Sequence, residues 1–126
     1  MRPQSLAEVA RLAAAGDSFD RCLANFLDEF YAQPNAAALM ETPERLAPKL
    51  GELGAVADAY LAAAAEELAR KFQLPMPSWT AGGGRALHHP WFASSLASLR
   101  AVLLQESPAS FRARNLFVSE NALSRA

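Results

Sequence analysis

At 126 residues the chain has the length of one domain, and a domain this long buries roughly two thirds of its unfolded surface without needing a disulfide or metal staple. Apolar residues at 52%, charged residues at 20% and a net charge of −1 exclude the disordered, fibrous and nucleic-acid-coating classes. The lone cysteine, Cys22, excludes an internal disulfide and points to a reducing, cytoplasmic setting, and the longest charge-free apolar run, residues 59–65, falls far short of the roughly 20 residues that span a bilayer.

The N-terminus meets Glu8 and Arg11 before any apolar run reaches the length of a secretion signal. Ser5-Leu6-Ala7-Glu8 is instead a capping box, in which the hydroxyl and the carboxylate each satisfy an orphan amide at a helix start. A first helix follows, and Gly16 stops it. Asp17 or Ser18 caps a second, whose Phe19, Cys22, Leu23, Phe26, Leu27, Phe30 and Tyr31 fall on one wide face. Asp20, Arg21, Asp28 and Glu29 take the opposite side. Pro34 breaks this helix, and Asn35 caps a short one ending near Met40.

Thr42-Pro43 repeats the cap-then-proline start, but Pro48, Gly51 and Gly54 restrict residues 43–54 to one or two interrupted turns, because a proline deep in a helix costs about 3 kcal/mol. The longest helix is predicted over residues 54–72, with Val56, Ala57, Tyr60, Leu61, Ala64, Leu68 and Phe72 on one stripe. Glu66 with Arg70 and Glu67 with Lys71 read as ion pairs on its outside. Its many alanines offer a thin face against which another helix packs closely.

Pro75-Met76-Pro77-Ser78-Trp79 and the triple glycine 82–84 form the clearest loop. It divides an acidic segment, residues 1–73 with seven Lys/Arg and eleven Asp/Glu, from a basic segment, residues 74–126 with five and two. Beyond His88-His89-Pro90 the spacing of Phe92, Leu96, Leu99 and Leu103 predicts a helix from Trp91 to about Gln105. Ser107-Pro108 opens a short helix through Phe111, residues 115–118 read as extended, and Ser119 caps a last turn. The expected fold is therefore all-α: a single compact bundle of about five to seven helices with an irregular C-terminal segment docked on it. One domain, 1–126, would comprise an acidic helical segment (residues 1–73), a Pro/Gly loop (residues 74–90) and a basic C-terminal segment (residues 91–126).

Little in the chain points to chemistry. His88 and His89 are adjacent and diverge, whereas helical metal ligands sit three or four apart, so no metal is expected. The glycines at 82–84 lack the Lys-Ser/Thr ending of a phosphate loop and follow no strand. Cys22 lies in the apolar stripe of the second helix, where a thiol is inert. The carboxylates lie on solvent faces, most of them spaced to pair with Lys or Arg, so no catalytic residue and no cofactor is expected.

The unusual stretch is Phe111-Arg112-Ala113-Arg114-Asn115-Leu116-Phe117, which alternates arginine with apolar side chains where a solvated tail would be plainly polar. If extended, it places Arg112 and Arg114 on one face, and their planar guanidinium forks suit a carboxylate or phosphate partner. The competing reading is that this piece covers the domain's own core while its arginines cap helix ends. Trp79 and Trp91 bracket the glycine loop as aromatic anchors, for an interface or for the core. The expected partner-facing set is Arg112, Arg114, Asn115, Asn121, Arg125, Trp79 and Trp91.

Pro90-Trp91-Phe92, Ser98-Leu99-Arg100, Glu106-Ser107-Pro108, Asp58-Ala59-Tyr60-Leu61 and above all the ending Phe111-Arg112-x-Arg114-Asn115-Leu116-Phe117-Val118-Ser119-x-Asn121-x-Leu123-x-Arg125 resemble a group of small bacterial helical proteins. The likeness covers roughly residues 56–126. Genes of that group often lie beside genes for nucleotidyltransferase-like proteins, so the resemblance implies an antitoxin or accessory subunit that binds another protein. Two alternatives stay open: a nucleic-acid-binding module using Arg85, Arg100, Arg112, Arg114 and Arg125, and a small-molecule enzyme with a pocket near the glycine loop.

Overall fold

In the computed structural model, which describes residues 2–94 and 97–125 and the side chains of all of these except Ala97 and Ser98, the caps read from the sequence close as hydrogen bonds. Ser5 Oγ accepts the Glu8 amide at 3.0 Å, while the Glu8 carboxylate reaches one residue past the cap to the Gln4 amide at 2.7 Å, starting α1 (Leu6–Ala14). Gly16, at φ +109°, turns the chain out of α1. Ser18 Oγ then accepts the Arg21 amide and opens α2 (Phe19–Ala32), and Asn35 Oδ1 accepts the Ala38 amide to start the single turn of α3 (Ala37–Met40).

The interrupted stretch and the long helix form one element, α4 (Ala47–Lys71), with a break at Gly51, whose φ of 64° and ψ of −134° lie where only glycine is comfortable. Pro48 falls in its first turn, where a missing amide costs nothing. A 3₁₀ turn (Ser78–Ala81), β1 (Trp91–Phe92), α5 (Ala97–Glu106), α6 (Ala109–Arg112) and β2 (Leu116–Phe117) complete the described chain. The fold is all-α, and among the described residues strand is limited to two residues in each of β1 and β2.

Two apolar clusters pack it. In the larger, α1 lies against α2, α3 and α4, and Leu6, Val9, Phe26, Leu39, Leu46, Leu61 and Leu68 are essentially solvent-free. The smaller sits on the other side of α4, where Phe111, Leu116 and Val118 cover Ala59 and Ala63. Alanines on that side of α4 permit the close approach. Tyr60 and Leu123 touch both clusters, so the C-terminal segment is bound into the core.

The helix predicted from Trp91 starts six residues later than expected. Trp91 and Phe92 pair in parallel with Leu116 and Phe117, and the Trp91 and Ala93 amides donate to the Asn115 and Phe117 carbonyls at 2.8 and 3.0 Å. Pro90 delivers the chain extended, and a non-local partner strand then outcompetes a local helical pattern. Of the predicted helical face, Leu103 is buried under α5, Leu99 is exposed, Phe92 stacks on Phe117 at 5.0 Å, and Leu96 lies outside the described residues. The ion pairs expected along α4 are also redrawn. Arg70 joins Glu67 at 2.9 Å, Glu66 is taken by Arg114, and Lys71 lies over the Tyr31 ring.

Candidate functional site

The seven residues expected to face a partner separate into those held inside the fold and those left outside. Arg114 is inside. Its Nη1 and Nη2 donate to the two Glu66 carboxylate oxygens, both at 2.8 Å, and further to the Ser110 and Thr80 carbonyls, both at 2.9 Å. The guanidinium therefore ties α4, the 3₁₀ turn and α6 together, and it holds the Glu66 carboxyl below the usual carboxylate range. Arg112, on the last turn of α6, points to solvent, and its side chain makes no hydrogen bond or ion pair among the described residues. An extended 111–117 would have put both arginines on one face. The chain instead continues as a helical turn, because Pro108 presets the first turn and the Glu67 carboxylate accepts the Ser110 amide at 3.2 Å.

Asn115 adopts φ +63°, a conformation asparagine tolerates, and its Nδ2 donates to the Leu87 carbonyl at 2.7 Å. Trp79 is buried with its indole N–H on the Leu39 carbonyl at 2.8 Å and the Arg85 guanidinium 4.9 Å over its ring. Asn121 is exposed, with its side chain unengaged among the described residues. Arg125 meets the Asp28 carboxylate through Nε at 2.9 Å and Nη2 at 3.3 Å and lowers that carboxyl. Of the five C-terminal arginines, Arg85 and Arg114 are thus buried, Arg125 is paired, and Arg100 lies over the Phe92 ring at 5.2 Å, which leaves Arg112 as the uncommitted one.

One charged centre was not expected from the sequence. Asp58, fully buried in the middle of α4, accepts the Leu46 amide at 2.7 Å and the Ala47 amide at 3.1 Å, so it caps the start of its own helix from eleven residues downstream. Arg45 donates to the same carboxylate at 3.3 Å. Arg85 lies 3.8 Å from it and reaches the Pro43 carbonyl at 2.5 Å; its burial pulls the guanidinium's pKa down against the opposing pull of Asp58. The available signal was a single acid inside the apolar run 55–65. Gly84 completes the arrangement, because a Cβ there would overlap the Arg45 guanidinium. These groups satisfy one another, and no side-chain polar atom buried among the described residues lacks a partner.

Trp91 and Arg125 come together in a cleft of about 380 Å³ between α2 and the C-terminal segment. Leu23, Ala24 and Leu27 of α2 line one wall, and Val118, Ser119 and Ala122 the other. Asp20 marks one end of the α2 wall and Arg125 stands near the other. Tyr60 borders the Asp20 end, its ring edge-on to Phe111 at 4.9 Å, and burial together with the Asp20 charge pushes its hydroxyl up to about 12. The Asp20 side chain makes no ion pair or hydrogen bond among the described residues. The cleft thus joins apolar walls to a few polar groups at its ends, a lining suited to a side chain from another molecule. Burial raises the Cys22 thiol above its usual range, and no three His, Cys, Asp or Glu side chains converge among the described residues. No described helix is long and apolar enough to cross a membrane.

The chain matches no family model, no curated protein and no solved structure.

Proposed function

We propose that this protein is a non-catalytic interaction protein that receives a segment of a partner protein in the cleft between α2 and the C-terminal segment. The observation that carries this reading is the cleft itself: an open, mixed apolar and polar surface built around Trp91 and Arg125, two of the residues singled out by the sequence. Arg112 and Asn121, exposed and with side chains unengaged among the described residues, lie on the same C-terminal segment. In line with the resemblance, the partner is the product of an adjacent nucleotidyltransferase-like gene and this chain its antitoxin or accessory subunit, acting in the bacterial cytoplasm.

Co-expression with the adjacent gene product, followed by affinity purification, tests the proposal. The two are expected to co-elute from the wild type, and Ala93→Arg, which fills the cleft from an exposed wall position, is expected to separate them. Independent elution of the wild-type pair, or unchanged co-elution of Ala93→Arg, overturns the reading.

A further inference from the structure

Resting on that reading, the lining of the cleft also specifies the chemistry of its occupant. Asp20, Leu23 and Leu27 lie on successive turns of α2, so the carboxylate stands about 10 Å along the helix from the far leucine. That is about the span of three residues of extended chain. The two charges lining the cleft are not equivalent. Arg125 is neutralised by Asp28 through two hydrogen bonds, whereas Asp20 has no ion-pair partner among the described residues. The uncompensated charge is therefore negative, and Tyr60 and Trp91, whose ring faces attract cations, line the same cleft.

We infer that the occupant is an extended partner segment that lays aliphatic side chains against Ala24, Trp91, Ala93 and Ala122 and sets a lysine or arginine against Asp20. The cation would meet the Asp20 carboxylate, and the aliphatic portion would displace water from the half-buried Ala24, Trp91 and Ala122 and the exposed Ala93. An acidic segment would instead bring like charge to Asp20 and find Arg125 already engaged.

The test uses the whole chain and three probes: acetyl-Leu-Leu-Lys-amide, its norleucine analogue and its glutamate analogue. Each is titrated while the indole N–H resonances of Trp91 and Trp79 are followed, the buried Trp79 serving as internal reference. The lysine peptide is expected to move the Trp91 signal and leave Trp79 in place. Its affinity should exceed that of the norleucine peptide by about fivefold, as one partly exposed ion pair contributes, and the excess should vanish in Asp20→Asn and at high salt. Equal affinity of the two peptides, preference for the glutamate peptide, an unaltered excess in Asp20→Asn, or no Trp91 response to the lysine peptide overturns the inference. Its failure is separable from failure of the interaction reading, because Ala93→Arg can still abolish co-elution with the adjacent gene product while Asp20→Asn leaves it intact.

Discussion

Arg112 and Arg114 are two positions apart and chemically identical, yet their surroundings make them opposite residues. Arg114 fills four hydrogen-bonding positions inside the fold, and Arg112 fills none among the described residues. Removing one member of a largely buried pair leaves its partner's charge uncompensated, so Arg114→Ala is expected to destabilise the protein by about 3 kcal/mol in urea unfolding. Arg112→Ala should stay within about 0.5 kcal/mol of wild type. Matched losses in the two variants would refute the assignment of Arg114 as the internal tie. The pH dependence follows from Glu66. Its folded pKa is lowered from 4.5, chiefly by the Arg114 hydrogen bonds, so its contribution is complete above that value and is lost as pH falls through the folded value. The stability gap between wild type and Glu66→Gln should accordingly be widest near neutrality and narrow below pH 4.5, as read from urea midpoints across pH. A gap that stays constant on acidification would detach Glu66 from this role. The sequence showed the alternation of arginine with apolar residues, and both readings of it were open. What it did not show was the direction of the chain at 109–114, which depends on Glu67 of α4 reaching the Ser110 amide from 43 residues away.

The elements themselves were legible where local rules decide them. The Ser5, Ser18 and Asn35 caps, the Gly16 stop of α1, the amphipathic stripe of α2 and the broken start of α4 all follow from neighbours within one or two turns. The pairing of β1 with β2 was not legible, because Trp91 and Leu116 are distant in the chain, with α5 and α6 lying between them. The break at the start of α4 allows a sharper test. Gly51 holds a conformation closed to other residues, and a Cβ on Gly54 would overlap the Leu46 carbonyl. By contrast, Gly83 has neither positive φ nor any atom near the position of an added Cβ. Gly51→Ala and Gly54→Ala are each expected to cost about 1–3 kcal/mol of unfolding free energy. Gly83→Ala should be neutral or slightly stabilising, since it only restricts the unfolded chain. If all three behave alike in chemical denaturation, the close approach of residues 46–47 to Gly54 does not govern this region of the fold. The same approach delivers the Leu46 and Ala47 amides to Asp58, so Gly54→Ala should lose cooperativity with Asp58→Ala, the double variant falling short of the sum of the two single losses.

At the scale of the whole molecule, the C-terminal segment is a structural component of the bundle. Phe111, Leu116 and Val118 form the buried side of the smaller cluster, Ser107 Oγ donates to the Leu116 carbonyl at 2.8 Å and accepts the Val118 amide at 3.3 Å, and the Tyr31 hydroxyl donates to the Leu123 carbonyl at 2.7 Å. Three fully buried apolar side chains contribute about 1.5–3 kcal/mol each, so a chain ending at residue 108 forfeits an amount comparable to the whole 5–15 kcal/mol that stabilises an ordinary domain. Such a chain is expected to lose its cooperative thermal transition. A chain ending at residue 119 keeps that cluster and gives up the Tyr31–Leu123 bond, the Arg125–Asp28 pair and the partial cover from Ala122 and Leu123, for which about 2 kcal/mol is expected. Amide exchange separates the two cases. In the longer truncation product the Trp91 and Ala93 amides, bonded to the Asn115 and Phe117 carbonyls, should remain protected along with α1 and α2, whereas in the shorter one their acceptors are gone. A chain ending at residue 108 that still melts cooperatively at the wild-type temperature would mean that the larger cluster alone sets the stability, and the cleft beside α2 would then have a wall that the fold does not hold in place.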